Sequence, residues 1–147
     1  MASAASVADA IRKTQHSLRL GTDHALRTAH LTAPQYFVFA ALSAQPGLSG
    51  AALARRCFVT PQTMTGIVAN LAANGLIARE ADPEHGRVIQ TRLTSDGTAL
   101  LAQARLLVDR VEADMLRDID PVEREALTDL LLQCADALSG RAPRPAR

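Results

Sequence analysis

Apolar residues recur along this chain mainly three and four positions apart, the period of an amphipathic helix, and alternate with polar ones in one short region only. A first helix starts near Ser6, whose hydroxyl caps "SVAD" with Asp9 in the first turn, and Val7, Ala10, Ile11 and Leu18 follow at helical spacing. Gly21 ends this helix or weakens it, and "DHALRTAHL" can continue it to about Ala29. A second helix opens at Thr32, which forms a T-x-x-Q capping box with Gln35. Pro34 is tolerated in its first turn, Leu31 and Tyr36 hold the staple positions, and "QPG" breaks it after about Ala44. Ser49 caps a short helix, "GAALARRC", with Ala52, Leu53 and Cys57 inward. Almost at once Thr60 caps a fourth helix that has Pro61 at its first position, runs to Asn74 and stops at Gly75 in the left-handed conformation. A short helix, a tight turn and a second helix make a helix-turn-helix.

The alternating region comes next. "LIARE", a six-residue polar tip "ADPEHG" and "RVIQTRL", with Ile89 and Leu93 set against Gln90 and Arg92, predict a β-hairpin. Thr94 then caps a long helix over about Ser95–Arg117, with Leu100, Leu101, Ala104, Leu107, Val108, Val111 and Met115 as its stripe. Asp120 and Glu123 form a second capping box, with Pro121 at the first position, and open a last helix carrying Leu127, Leu130, Leu131, Cys134 and Leu138. "RAPRPAR" reads as a disordered tail. The expected fold is mainly α with a small β-hairpin wing, a winged helix-turn-helix in the order α-α-α-α-β-β-α-α. Residues 1–31 form an N-terminal dimerisation helix, 32–94 the winged lobe, 95–140 C-terminal dimerisation helices and 141–147 the tail.

Composition narrows the class. The chain has 147 residues, the size of one ordinary domain, and 48% hydrophobic content, enough for a core without staples. Aromatics are only 3% with no Trp, so the core is built from Leu, Ala, Val and Ile, which favours helices. Cys57 and Cys134 are far apart and outside any CxxC, so neither a disulfide framework nor a zinc site is indicated. No apolar run of about 18 residues is present to cross a membrane, and the N-terminus lacks an apolar signal core, so the expected localisation is cytoplasmic. Net charge is only +1 but unevenly spread. Leu31–Ser95 holds five arginines against three acids, and Asp96–Gly140 ten acids against four arginines.

The fourth helix lies in a charge gap that extends from Arg56 to Arg79. On a helical wheel Met64, Ile67, Val68 and Leu71 take the core side. Gln62, Gly66, Ala69 and Ala73 oppose them, flanked by Thr63, Thr65 and Asn70. A solvated face normally carries Lys, Glu or Arg. Small neutral residues edged by short hydrogen-bonders suit close approach to base edges in a major groove, where Gln can pair with adenine and a Thr methyl can touch thymine. Arg55 and Arg56 before the face, and Arg79, Arg87 and Arg92 after it, are placed to neutralise phosphates. A face packed on another helix or subunit is the alternative. The hairpin adds weight to DNA, because His85 and Arg87 at a wing tip can reach a narrowed minor groove. An internal Asp82–Arg87 pair that merely stiffens the turn is the plainer expectation for the same residues.

"LTAPQYFVFAAL", "LARRCFVTPQTMTGIVANLAANGLIARE", "DPEHGR" and "LTSDG" follow one another over Leu31–Gly97 in the order and spacing of the MarR (multiple antibiotic resistance regulator) family, which the chain resembles. The resemblance implies a homodimer with interlocked N- and C-terminal helices, two lobes reading a pseudo-palindromic operator in double-stranded DNA as a repressor, and release by a small molecule. Carried over by position, Gln62, Thr63, Thr65 and Gly66 lie in the major groove, Thr60 and Asn70 approach phosphates, and His85 and Arg87 act from the wing. Ser49, at the start of the short helix, joins this DNA-binding set. The chain departs from many relatives in having Gly86 before the wing arginine and Gly66 where they place arginine. Dimerisation also follows from the residues themselves. The last two helices carry more apolar positions than a winged lobe of about 60 residues can cover, and a two-fold interface would bury the excess.

The resemblance further implies an effector crevice, for which His16, Arg19, His24, His30, Tyr36 and Phe37 are the candidate lining. Cationic groups beside apolar walls there suit a small aromatic carboxylate or phenol. Surface or core histidines are the plainer reading. The histidines lack the i, i+4 spacing of a metal pair, so no metal and no cofactor is expected. A thiol-based redox switch at Cys57, whose pKa Arg55 and Arg56 would lower, is an alternative, as is a helical protein-interaction module without DNA binding. Cys57 shares the inward face with Leu53, so a buried, inert thiol is the plainer expectation. No G-x-S-x-G, P-loop, G-x-G-x-x-G or H-E-x-x-H occurs, so an enzyme is not expected.

Overall fold

A computed structural model describes residues 6–140; the tail expected over 141–147 lies outside them. The chain divides into two compact units, one reaching Val111 and the other beginning at Glu112. Among the described residues no helix is long and apolar enough to cross a membrane.

In the first unit α1 (Val7–Leu26) starts where the capping pattern predicts, with the Ser6 hydroxyl accepting from Asp9 N–H at 3.1 Å. Gly21 is absorbed inside the helix. The real stop is a 3₁₀ turn, Arg27–Ala29, closed by His30 at φ 54°. The Thr32–Gln35 capping box opens α2 (Ala33–Ala44), and Asp23 reaches across from α1 to accept Ala33 N–H at 2.8 Å. Ser49 caps α3 (Gly50–Arg56) and Thr60 caps α4 (Pro61–Ala73), with Pro61 at the first position. Gly75 at φ 70° ends α4, allowing Leu76 N–H to return to Leu71 O and Gly75 N–H to Ala72 O, each at 3.0 Å.

The hairpin pairs β1 (Ile77–Ala81) with β2 (Ile89–Leu93), Ile77 opposite Leu93 and Ala81 opposite Ile89. Its tip is therefore residues 82–88. Arg87 and Val88, expected in the second strand, belong to the turn, because the ladder ends at Ala81–Ile89 and Asp82 N–H donates to Val88 O at 2.8 Å beyond it. The alternation in β2 holds, but its deepest member is Thr91, 1% exposed, between the apolar pair that marked the face. Thr91 also bridges Leu48: its N–H donates to Leu48 O at 3.1 Å and its carbonyl accepts Gly47 N–H at 3.0 Å. The segment before α3 is thus held against the hairpin.

The core collects Val38, Phe39 and Leu42 from α2, Leu53 from α3, and Met64, Val68 and Leu71 from α4, with Ile77 of β1. From α5 (Ser95–Met115) come Leu101 and Ala104. Side chains of this size each contribute roughly 1.5–3 kcal/mol on full burial. Gly97 is required where α5 meets the hairpin, since a Cβ there would stand 2.0 Å from Leu76 O. Thr94 supports the same junction, donating from its hydroxyl to Gly75 O at 2.7 Å and accepting Gly97 N–H at 3.1 Å.

In the second unit the long helix ends at Met115 rather than near Arg117, and α6 (Pro121–Ser139) opens at the Asp120–Glu123 capping box. Arg124 secures the turn between them, donating to Ile119 O at 2.7 Å and Leu116 O at 2.8 Å. No residue of α6 is buried by its own unit, and Val122, Leu130, Leu131, Leu132 and Leu138 are exposed.

Candidate nucleic-acid interface

Helix α4 is held from behind by Met64, Val68 and Leu71, each almost completely buried, while Gln62, Thr63, Thr65, Gly66, Ala69 and Asn70 are exposed. Local hydrogen bonds decide what this face offers. Thr60 Oγ1 accepts Thr63 N–H at 3.1 Å and donates to Thr63 Oγ1 at 2.9 Å, which leaves the Thr63 proton for an outside acceptor. Thr65 Oγ1 donates back to Pro61 O at 2.9 Å, so outward it presents lone pairs and a methyl group. The Gln62 amide makes no hydrogen bond among the described residues and keeps its donor and acceptor side by side. Around Gly66 a Cβ would meet nothing within 4 Å, so the face is flat by composition, not because a neighbour crowds it. Asn70 Oδ1 accepts from Gln35 Nε2 of α2 at 3.1 Å.

Two residues of the expected set are occupied by capping. Ser49 accepts Ala52 N–H at 3.2 Å, and the Thr60 proton goes to Thr63, so a phosphate could receive it only if that bond were given up. In the hairpin tip Arg87 is exposed and has no ion pair or hydrogen bond among the described residues. The expected Asp82–Arg87 pair is replaced by Asp82 with His85, Nδ1 to Oδ2 3.6 Å, and by Glu84 N–H donating to Asp82 Oδ1 at 2.9 Å. That N–H is the main reason the Asp82 carboxyl is held below its ordinary range, with Gln90 and His85 adding to it. A backbone N–H two residues on and an imidazole three residues on reach the carboxylate more readily than a guanidinium five residues away across the turn. Arg87 is left unspent.

A cavity of about 690 Å³ opens beside the helix-turn-helix. One wall is a single face of α1, Gln15, Leu18, Arg19 and Thr22, spaced i, i+3, i+4, i+7. A second comes from the start of α2 through Ala33, Pro34 and Phe37, and a third from Arg56 to Val59, the turn leading into α4. Of the six residues expected to line such a crevice, Arg19 and Phe37 do so. His16 and Tyr36 each sit one residue, about 100°, around their helix from the lining face. His24 and His30 are exposed away from it. Arg56 and Phe58 were not anticipated. Arg56 donates to Gln45 Oε1 at 2.9 Å, Arg19 has no partner among the described residues, and no carboxylate lines the walls.

Cys57 is half-buried in that wall. Burial pushes its thiol above the ordinary range and Arg56 only partly offsets this, as expected of an inward-facing, inert thiol and against activation by the neighbouring arginines. Among the described residues no group of three His, Cys, Asp or Glu is disposed to hold a metal ion.

Residues 31–88 match the model of the MarR family. The HTH-type transcriptional repressor Rv2887 of Mycobacterium tuberculosis is 38% identical over 109 residues, which are 74% of this chain and 78% of that one. A crystal structure of Rv2887 with salicylic acid superposes with a TM-score of 0.75 at 30% identity, over 91% of this chain and 99% of that one. The transcriptional repressor CouR bound to a 23-mer DNA duplex gives 0.81 at 26% identity, over 88% and 92%. These relatives are DNA-binding regulators, not enzymes. With the capped helix-turn-helix, its hairpin and this likeness extending well beyond the matched segment, the chain belongs to the MarR family of transcriptional regulators.

Proposed function

We propose that the chain is a homodimeric repressor that reads a pseudo-palindromic operator through α4 and the hairpin wing and is released by a small aromatic carboxylate. The observation that carries this reading is the free, uncharged face of α4, with Gln62 unengaged at its centre and Arg87 unpaired at the wing tip. Gln62, Thr63, Thr65 and Gly66 are the proposed groove residues. Asn70 and Arg87 meet the sugar-phosphate backbone, and His85 acts with Arg87 from the wing tip. Ser49 and Thr60 contribute chiefly by ending their helices at the surface, where free N–H groups favour phosphate.

Dimerisation is supported by α6, whose leucines have no cover within their own unit. A two-fold interface that buried them would set two recognition helices about one DNA turn apart. For the effector, Arg19 and Arg56 supply cationic ends to a cavity whose apolar walls include Leu18, Pro34, Phe37 and Val59. An anionic group on a flat apolar body satisfies both. The salicylic acid bound by Rv2887 is of that chemistry. A redox switch at Cys57 has the thiol pKa against it.

Selection from a random duplex library at two salt concentrations tests the reading. Recovery of an inverted repeat with half-sites about 10 bp apart, released by salicylate, is the expected result. Recovery of nothing above background would leave α4 as a protein-packing surface.

A further inference from the structure

Gln35 is half-buried in the first turn of α2 and uses both ends of its amide. Oε1 accepts Thr32 N–H at 3.0 Å, closing the capping box. Nε2 donates to Asn70 Oδ1 at 3.1 Å, 35 residues further along the chain on α4. Capping requires only the acceptor, and a glutamate would supply it equally well. The donor end therefore does something that the helix start does not need.

Its effect is on Asn70. An exposed asparagine amide can present either its oxygen or its NH₂ to an approaching group, and the two choices have opposite consequences beside a phosphate. With Oδ1 engaged by Gln35, Nδ2 is left without an acceptor among the described residues, so both of its protons are available outward. We propose that Gln35 is a positioning residue for DNA binding, holding the Asn70 amide with its donors toward the sugar-phosphate backbone. This rests on the reading of α4 as the DNA-contacting helix. Gln35 itself need not touch DNA.

The test is a double-mutant cycle on the operator recovered by selection, comparing wild type, Gln35→Glu, Asn70→Ala and the double variant, with thermal melting of each free protein. Gln35→Glu keeps the cap acceptor and deletes only the donor. Expected is a loss of operator affinity on the order of tenfold for Gln35→Glu, the scale of one hydrogen bond to a charged group, with an unchanged melting temperature. In the Asn70→Ala background the same substitution should cost nothing further, because there is no amide left to orient. An equal loss in both backgrounds would mean that the new carboxylate simply repels DNA, and would overturn the proposal. So would no loss in either, or a collapse of the fold in Gln35→Glu, which would make the donor structural. A wild-type chain that captured no duplex would instead sink the functional reading and this proposal with it.

Discussion

Helices α4 and α6 each leave a face without cover in their own unit, and the two faces are chemically unlike. That of α4 is Gln62, Thr63, Thr65, Gly66 and Ala69, small or hydrogen-bonding and content in water. That of α6 includes Leu130, Leu131, Leu132 and Leu138, each of which forgoes a good part of the roughly 1.5–3 kcal/mol of full burial for as long as it stays exposed. Exposure alone says only that a partner is missing. The chemistry says how long the partner must stay. A face that is stable when hydrated can bind and release, as a regulator on DNA must; a leucine-rich face calls for a standing interface.

The strongest way to break this contrast is to charge the second face. Leu131→Glu, present twice at a two-fold interface, should weaken association by about 3–6 kcal/mol and shift sedimentation velocity toward monomer. An unchanged sedimentation coefficient would take Leu131 out of the interface. On the other face, Gln62→Ala should cost about 1–3 kcal/mol at one base position per half-site, read by titrating operators changed one base pair at a time. An equal loss on every sequence would mean that Gln62 does not read bases.

Phe58 sharpens the contrast, being apolar yet 95% exposed beside the polar helix. It holds φ 55°, with Val59 N–H returning to Ala54 O at 3.1 Å and Phe58 N–H to Arg55 O at 3.3 Å. The same pair of bonds ends α4 around Gly75. Phe58→Gly should relieve the left-handed strain and stabilise the fold by about 1 kcal/mol, seen as a rise in Tm. A fall in Tm would mean that the ring is covered in the assembled protein. The smallest effect expected is at the wing tip. Because the Asp82 carboxyl is held below its ordinary range, its support of the turn is complete above that range and is lost only as pH falls through the depressed value. The Glu84 amide shift followed by NMR against pH reads this, and a midpoint at or above an ordinary carboxylate would contradict it.

Gly75 and Phe58 also mark the limit of legibility. The two helix ends have one geometry, but glycine announces a left-handed residue and phenylalanine does not. Thr91 gives no sign of its burial for a related reason: the Leu48 bridge that covers it pairs it with a segment that has no strand signature. In the cavity the histidines drew attention for their chemistry, whereas the lining is set by which side of α1 faces α2, and residue type does not encode that.

Legible from the residues alone is whatever a few neighbouring side chains and backbone groups decide among themselves. The caps at Ser6, Thr32, Ser49, Thr60 and Asp120 open their helices where expected, the hairpin follows α4, and the period of α4 separates Met64, Val68 and Leu71 from Gln62 and Gly66. Packing decides the rest: Arg19 and Arg56 on one cavity, the margin by which burial outweighs Arg56 at the Cys57 thiol, and Gln35 bonded to Asn70. The physical reason is range. Capping and periodicity act within one or two turns of a helix, while a pKa, a cavity wall and a long-range hydrogen bond depend on which distant segment packing brings alongside.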